Sequence, residues 1–204
     1  KEAAFLALDE ATDRARRLKA ANTLWFENGT LWGDNTDSIG FLANLDQGHP
    51  GWDINAKSAL ILGAGGAARA IIAGLQERNI EKITIVNRTI ERGQELASLV
   101  GEHTPAEARF IPWVGTYAVP EGVDILVNAT SIGFHPSTDT PDVDDATIRP
   151  GMVVADVVAN PPDTPFLQRA AARCLGRRPA GSGPPQPPAA RVASILARVA
   201  AGTW

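Results

Sequence analysis

Ser58-Ala-Leu-Ile-Leu-Gly-Ala-Gly-Gly-Ala-Ala-Arg69 decides the fold. Four apolar residues, Ala59 to Leu62, run directly into a glycine cluster, and a second apolar run follows at Ala70, Ile71, Ile72, Ala73 and Leu75. The order is that of a buried strand, a tight turn and a helix. Gly63, Gly65 and Ala68 fit the dinucleotide fingerprint G-x-G-x-x-G/A. Gly63 permits the turn, Gly65 lets backbone approach a pyrophosphate, and Ala68 lets the helix lie close to the strand. The first N–H groups of that helix then face an anion, which the helix dipole also favours. The alternative is a glycine turn in another α/β fold.

Downstream, Lys82-Ile-Thr-Ile-Val-Asn87 reads as a second strand and Glu91 to Val100 as a helix. Phe110-Ile111 is a short strand candidate, Val123-Asp-Ile-Leu-Val-Asn128 and Met152-Val-Val-Ala-Asp-Val-Val158 are further strands, and Pro165 to Ala172 starts a helix. Strands alternating with helices imply a doubly wound, mostly parallel Rossmann-type sheet covered on both faces. The end of the second strand selects the cofactor. A free ribose 2′-hydroxyl usually meets an Asp or Glu there. This chain has Asn87-Arg88-Thr89 with Arg92 one turn later. Two guanidiniums without a carboxylate suit a 2′-phosphate, so NADP is favoured over NAD; the alternative is a pair of exposed arginines at a helix start. Asn128-Ala-Thr-Ser-Ile-Gly133 leaves the carboxyl end of a strand, where open parallel sheets bind ligands. Thr130 is a candidate cofactor contact, and a polar strand exit is the alternative.

Upstream, Lys1 to Leu18 alternates apolar and charged residues at helical spacing and predicts an amphipathic helix broken near Thr12. Asn28-Gly29 between Thr23-Leu-Trp-Phe26 and Thr30-Leu-Trp32 signals a hairpin. Gly33-Asp-Asn-Thr-Asp37 leads into a helix through Phe41 to Leu45, with Thr36 or Asp37 as cap. Gln47-Gly-His-Pro-Gly51 reads as a linker. The organisation is therefore residues 1–50, then 51–172 around the glycine motif. Residues 173–204, rich in proline and arginine, are expected to be extended or disordered in part, with a short helix over Val192 to Ala201. With 204 residues, 44% of them hydrophobic, the chain can bury a real core. A net charge of −4 gives no reason to invoke nucleic acid or an anionic membrane surface, and no apolar run reaches the roughly 20 residues of a bilayer span. The single Cys174 excludes an intrachain disulfide and fits a reducing, cytoplasmic compartment. No metal-ligating cluster is expected. The oligomeric state is not fixed by the sequence, and a homodimer is one arrangement open to it.

Lys1-Glu2, Ala20-Ala-Asn-Thr23, Gly33-Asp-Asn-Thr-Asp37, Gly63-Ala-Gly-Gly-Ala67, Asn87-Arg-Thr89 with Arg92, Asn128-Ala-Thr-Ser131 and Asp156-Val-Val with Asn160-Pro161 occur in this order. Together they resemble the shikimate dehydrogenase family, including its quinate/shikimate-oxidising relatives. The resemblance runs from Lys1 to about Ala172 and implies a two-domain α/β enzyme interconverting shikimate and 3-dehydroshikimate with NADP, on the route to chorismate and aromatic amino acids. By the matching motifs, Lys1 stands at the catalytic lysine, Asp37 at its partner aspartate and Asn22 at the asparagine that binds substrate hydroxyls. Gly63, Ala64, Gly65, Gly66 and Ala67 match the pyrophosphate loop; Asn87, Arg88, Thr89 and Arg92 match the adenosine-phosphate loop; Val157 falls where backbone approaches the nicotinamide. Against the family pattern, the chain starts at the lysine, so the segment whose serines hold the substrate carboxylate does not precede it, and residues 1–50 are expected to be a truncated substrate domain. Ala159 stands where many relatives carry tyrosine. The closing motif Asp-Gly-x-x-Met-Leu-x-x-Gln is not found after Ala172. A truncated sequence or a shifted reading frame is expected to lie behind these departures. The alternatives are a quinate/shikimate dehydrogenase using NAD or NADP, and a catalytically inactive NADP-binding fragment.

Overall fold

The computed structural model describes residues 1–103, 106–158, 160–161 and 163–174. The atypical segment 175–204 and Ala159 lie outside the described residues. The elements run α1 (Glu2–Leu6), β1 (Glu10–Ala11), α2 (Asp13–Leu18), β2 (Thr23–Glu27), β3 (Thr30–Asp34), α3 (Asp37–Gly48), β4 (Ser58–Leu62), α4 (Gly66–Glu77), β5 (Lys82–Asn87), α5 (Ile90–His103), β6 (Glu107–Pro112), β7 (Ile125–Asn128), β8 (Val153–Asp156) and α6 (Pro165–Cys174).

β4 to β8 form one parallel five-stranded sheet in the order β6-β5-β4-β7-β8. Every second strand residue faces each side. Ala59, Ile61, Ile83, Ile85, Ile125 and Val127 pack under α3, α4 and α5, whereas Leu60, Leu62, Val86, Leu126 and Val154 pack against Phe166 and Leu167 of α6. Burial on both faces is why these strands read as unbroken apolar runs. The chain winds outward from β4 in both directions, so the crevice at the carboxyl ends of β4 and β7 is the topological switch point. The register aligns Val86, Leu62, Asn128 and Asp156 across four strand ends.

The first fifty residues make a smaller sheet, ordered β1-β3-β2, with β1 parallel and β2 antiparallel to β3. Asn28 and Gly29 take φ of 51° and 82°, the left-handed pair that a two-residue hairpin turn needs, and Trp25 stacks on its cross-strand partner Trp32 at 6.2 Å. The amphipathic helix expected over Lys1 to Leu18, broken near Thr12, is two short helices, with β1, which the sequence did not signal, between them. Thr12 marks the break by capping α2: its hydroxyl accepts from Ala15 N at 3.2 Å. α3 is longer than the sequence pattern implied, so the linker starts at His49 rather than Gln47. Thr36 occupies its N-cap position without a side-chain cap bond; Asn35 Oδ1 accepts from the Asp37 amide instead, at 3.1 Å. No helix among the described residues is long and apolar enough to cross a membrane.

Candidate functional site

The Gly-Asp-Asn-Thr-Asp turn joins β3 to α3, and each of its polar side chains is committed. Asp34 ties the turn to α2: it accepts from Thr12 Oγ1 at 2.5 Å and pairs with Arg14. Burial pushes this carboxyl up, but the hydrogen bonds from Thr12 and Arg14 outweigh it and hold it below the usual range. Asn35, fully buried, donates to the Ala20 carbonyl at 3.1 Å. Asn22 Oδ1 accepts from the Thr36 amide at 3.0 Å, and Asn22 Nδ2 donates to Asp37 Oδ1 at 2.7 Å. That leaves Asp37 Oδ2 for the Lys1 ammonium, with which it forms a hydrogen-bonded ion pair. The Asp37 side chain is 9% exposed and that of Lys1 33%, so the lysine is oriented from below and open from above. The three residues singled out by resemblance, Lys1, Asn22 and Asp37, thus form one connected cluster. The supporting roles of Arg14, Asp34 and Asn35 were not anticipated; the alternation of Asp and Asn in a turn is the signal that could have suggested them.

Lys1 also touches the glycine loop. A Cβ built on Gly66 would lie 3.2 Å from Lys1 Cβ and 3.4 Å from its Cδ. Within the loop, Gly63 has φ of +104° and its amide bonds to Val86 O at 2.8 Å, continuing the sheet. A side chain there would meet Thr130 Cγ2 at 3.0 Å and the Ala129 carbonyl carbon and oxygen at 3.1 Å. Gly65 is different. It is the N-cap of α4, extended, without a side-chain cap, and a Cβ there would meet nothing within 4 Å. Its glycine is not required by the protein's own packing, whereas an approaching diphosphate would require it. Arg88, in the turn before α5, and Arg92, in its first turn, are exposed, and their guanidiniums make no ion pair or hydrogen bond among the described residues. Asn87 Nδ2 donates to Thr89 O at 2.8 Å, which shapes the turn that carries Arg88. These features fit a phosphorylated dinucleotide: an open helix N-terminus, a glycine without a packing reason, and two free guanidiniums one strand away.

On the other flank of the crevice, Asn128 is buried and bonded on both ends. Its Oδ1 accepts from Thr130 N at 3.1 Å and Thr130 Oγ1 at 2.6 Å; its Nδ2 donates to Asp156 Oδ1 at 2.9 Å. Asp156, 0% exposed, also accepts from Val158 N at 3.0 Å and Thr164 Oγ1 at 2.8 Å. Burial raises its pKa, and these three hydrogen bonds only partly oppose the rise. The Val157 amide is taken by Asn128 O at 3.0 Å. The sequence marked Asp156 only as part of a motif, since its link to Asn128 depends on β7 and β8 being neighbours.

The family profile of shikimate/quinate 5-dehydrogenases matches residues 45–165. A shikimate dehydrogenase (NADP(+)) from Azorhizobium caulinodans is 45% identical over 177 residues, covering 86% of this chain and 60% of that protein. Among solved structures, 5-ketofructose reductase of Gluconobacter sp. strain CHM43 superposes with a TM-score of 0.75 at 40% identity, covering 85% of this chain and 62% of the other. Shikimate 5-dehydrogenase from Thermus thermophilus, solved with NADP(H) and shikimate, gives 0.68 at 34% identity, covering 84% and 60%. The chain therefore spans about 60% of the length of the curated relative quoted. A match of this extent, with the sheet order and the glycine turn in place, makes the chain a member of the shikimate/quinate 5-dehydrogenase family.

Proposed function

We propose that this chain is the larger part of an NADP-dependent dehydrogenase that interconverts shikimate and 3-dehydroshikimate. Residues 1–50 belong to its substrate domain and residues 51–172 to its cofactor domain. The observation that carries the reading is the close approach of Lys1, itself paired with Asp37, to Gly66: the side chain assigned to proton transfer lies against the glycine loop. NADP supplies the hydride acceptor or donor. Its diphosphate fits the turn from Gly63 to Ala67 and the start of α4, its 2′-phosphate fits Arg88 and Arg92 beside Asn87 and Thr89, and the nicotinamide end falls to Thr130 and Val157 on the far flank of the switch point.

The chain's own residues handle the proton and the orientation. When the ring alcohol is oxidised, its hydrogen leaves as hydride and its hydroxyl proton passes to the neutral amine of Lys1; in the reverse direction the Lys1 ammonium returns that proton to the new alkoxide oxygen. Asp37 holds the Lys1 Nζ in place, and Asn22, already fixed on Asp37 and Thr36, offers its amide edge to substrate hydroxyls. All these residues belong to one chain, so the reading does not need the homodimer left open by the sequence. A cytoplasmic location goes with the same proposal. Steady-state kinetics of the full-length protein with shikimate and quinate, each with NADP and NAD, test it. Lys1→Ala is expected to lower kcat by about 10²–10⁴-fold; unchanged turnover would remove the acid–base role. The similarity to a 5-ketofructose reductase favours including that ketone as a substrate. Preferential reduction of it over 3-dehydroshikimate would replace the substrate assignment while leaving the lysine chemistry intact.

A further inference from the structure

Gly66 lies outside the G-x-G-x-x-A pattern, whose small residues here are 63, 65 and 68. Its backbone does not call for glycine, because it is the first residue of α4 and is not among the positions with positive φ. The neighbour that calls for it is Lys1. Lys1 is pinned at two ends: its carbonyl accepts from Phe5 N and Ala21 N, both at 3.0 Å, and its ammonium is held by Asp37. The stem between those ends passes over Gly66. A methyl group there would meet Lys1 Cβ at 3.2 Å, inside the usual carbon–carbon optimum of about 3.5–4.0 Å. Cβ is fixed to the backbone, so the stem cannot swing clear as a side-chain tip could. A second tie runs alongside: Glu2 Oε1 lies 3.5 Å from Nη2 of Arg69, a residue 8% exposed that also bonds Glu95 at 2.8 Å.

We propose that Gly66 is a positioning residue for Lys1. The first turn of α4 then sets the proton-transfer group as well as facing the cofactor. The claim rests on the acid–base reading of Lys1 given above. The two adjacent glycines divide the work: Gly65 leaves room for a ligand, and Gly66 leaves room for a lysine.

The test uses the full-length protein and four forms: wild type, Gly66→Ala, Lys1→Gly, which removes the Cβ over position 66, and the double variant. Gly66→Ala is expected to lower kcat at saturating cofactor at least tenfold and displace the pH profile of kcat, a loss larger than any rise in the Kd for NADPH from fluorescence titration. Melting gives a readout independent of turnover. With Lys1 present, Gly66→Ala lowers Tm by about 2–4 °C, the shift that a loss near 1 kcal/mol gives in a chain of this size. With Lys1→Gly the Cβ that an alanine at 66 would meet is absent, and alanine, the better helix former, leaves Tm unchanged or higher. An equal Tm loss in both backgrounds overturns the seat, as does an NADPH affinity that falls in step with kcat. Full turnover in Lys1→Gly sinks the acid–base reading and the positioning role with it, and it does so in a variant that leaves Gly66 untouched, so the two failures are told apart.

Discussion

Alanine at Gly63 and at Gly65 should have opposite consequences, although the two positions are separated by a single residue. At Gly63 an L-residue must hold φ of +104°, which costs about 1–3 kcal/mol. Its Cβ must also press on the Ala129 carbonyl carbon and oxygen at 3.1 Å. That carbonyl cannot retreat freely, because the Ala129 amide donates to Leu62 O at 2.8 Å; overpacking of this kind costs about 1–3 kcal/mol. The stiffer unfolded chain returns about 0.4–1 kcal/mol. The net loss for Gly63→Ala is about 1–5.5 kcal/mol. At Gly65 φ is −96° and the space is open, so alanine should change stability by no more than about 0.5 kcal/mol. Urea unfolding followed by tryptophan fluorescence measures both. With a slope of about 2 kcal/mol per molar, the Gly63→Ala midpoint falls by about 0.5–2.8 M and the Gly65→Ala midpoint moves by no more than about 0.25 M. NADPH titration of the folded variants then separates fold from ligand: Gly65→Ala should weaken binding at least tenfold, about 1.4 kcal/mol. A Gly65→Ala protein that unfolds as early as Gly63→Ala, or one that keeps wild-type NADPH affinity, would refute the assignment of Gly65 to the diphosphate.

Arg88→Ala and Arg92→Ala each remove a charged hydrogen bond worth about 1.5–3 kcal/mol. The Kd for NADPH should rise tenfold or more in each while the Kd for NADH stays unchanged; equal losses for both cofactors would move the 2′-phosphate elsewhere. Asp156 supplies a pH signature. Its folded pKa is raised above the unfolded value near 3.8, so its carboxyl is a proton acceptor favoured by folding. The associated stability is fully present below the unfolded pKa and is lost as pH rises through the folded one. The Tm of the wild type relative to Asp156→Asn should therefore climb as pH is lowered from about 7 toward about 4.5, and a flat or falling difference would show that burial does not dominate at this carboxyl.

The cofactor half was legible because its signals are local. Each strand is a continuous apolar run, and the glycine turn sits between a strand and a helix in an uninterrupted stretch. The amino-terminal half misled because β1 is two residues long and has no periodicity of its own. Its pairing with Trp32 and Gly33 of β3 is non-local, and the helical spacing on either side, over five- and six-residue helices, reads as a helix with a break but no strand in it. Gly33 shows what such a pairing demands: a Cβ there would collide with the Leu8 side chain, a contact no local pattern announces. The Lys1–Asn22–Asp37 cluster is closed by residues up to 36 positions apart. By periodicity Lys1 is a solvated terminal lysine and Asp37 a helix cap, so only the resemblance grouped them.

The run after the glycine turn looked like an ordinary apolar helix, yet its small residues have an order of their own. Gly66, Ala70 and Gly74 recur every four positions on α4, a spacing that stacks them along one face. Gly66 lies under Lys1, Ala70 packs with Leu18 and Ala20, and a Cβ on Gly74 would meet Leu42 Cγ at 3.3 Å and Ser38 Cβ at 3.4 Å. All of these partners come from the first fifty residues. Ser38 directly follows Asp37, so the close approach of α3 to α4 at Gly74 fixes where that carboxylate lies relative to Gly66. The opposite face of α4 carries Ala68, Ile71, Ile72 and Leu75 into the core beneath the sheet. One helix thus holds the cofactor loop on its sheet with large residues and draws the lysine and aspartate toward that loop with small ones. Enlarging Gly66 presses on Lys1, whereas enlarging Gly74 presses on Leu42 and Ser38 of α3 and, through Leu42, on the core beneath the sheet.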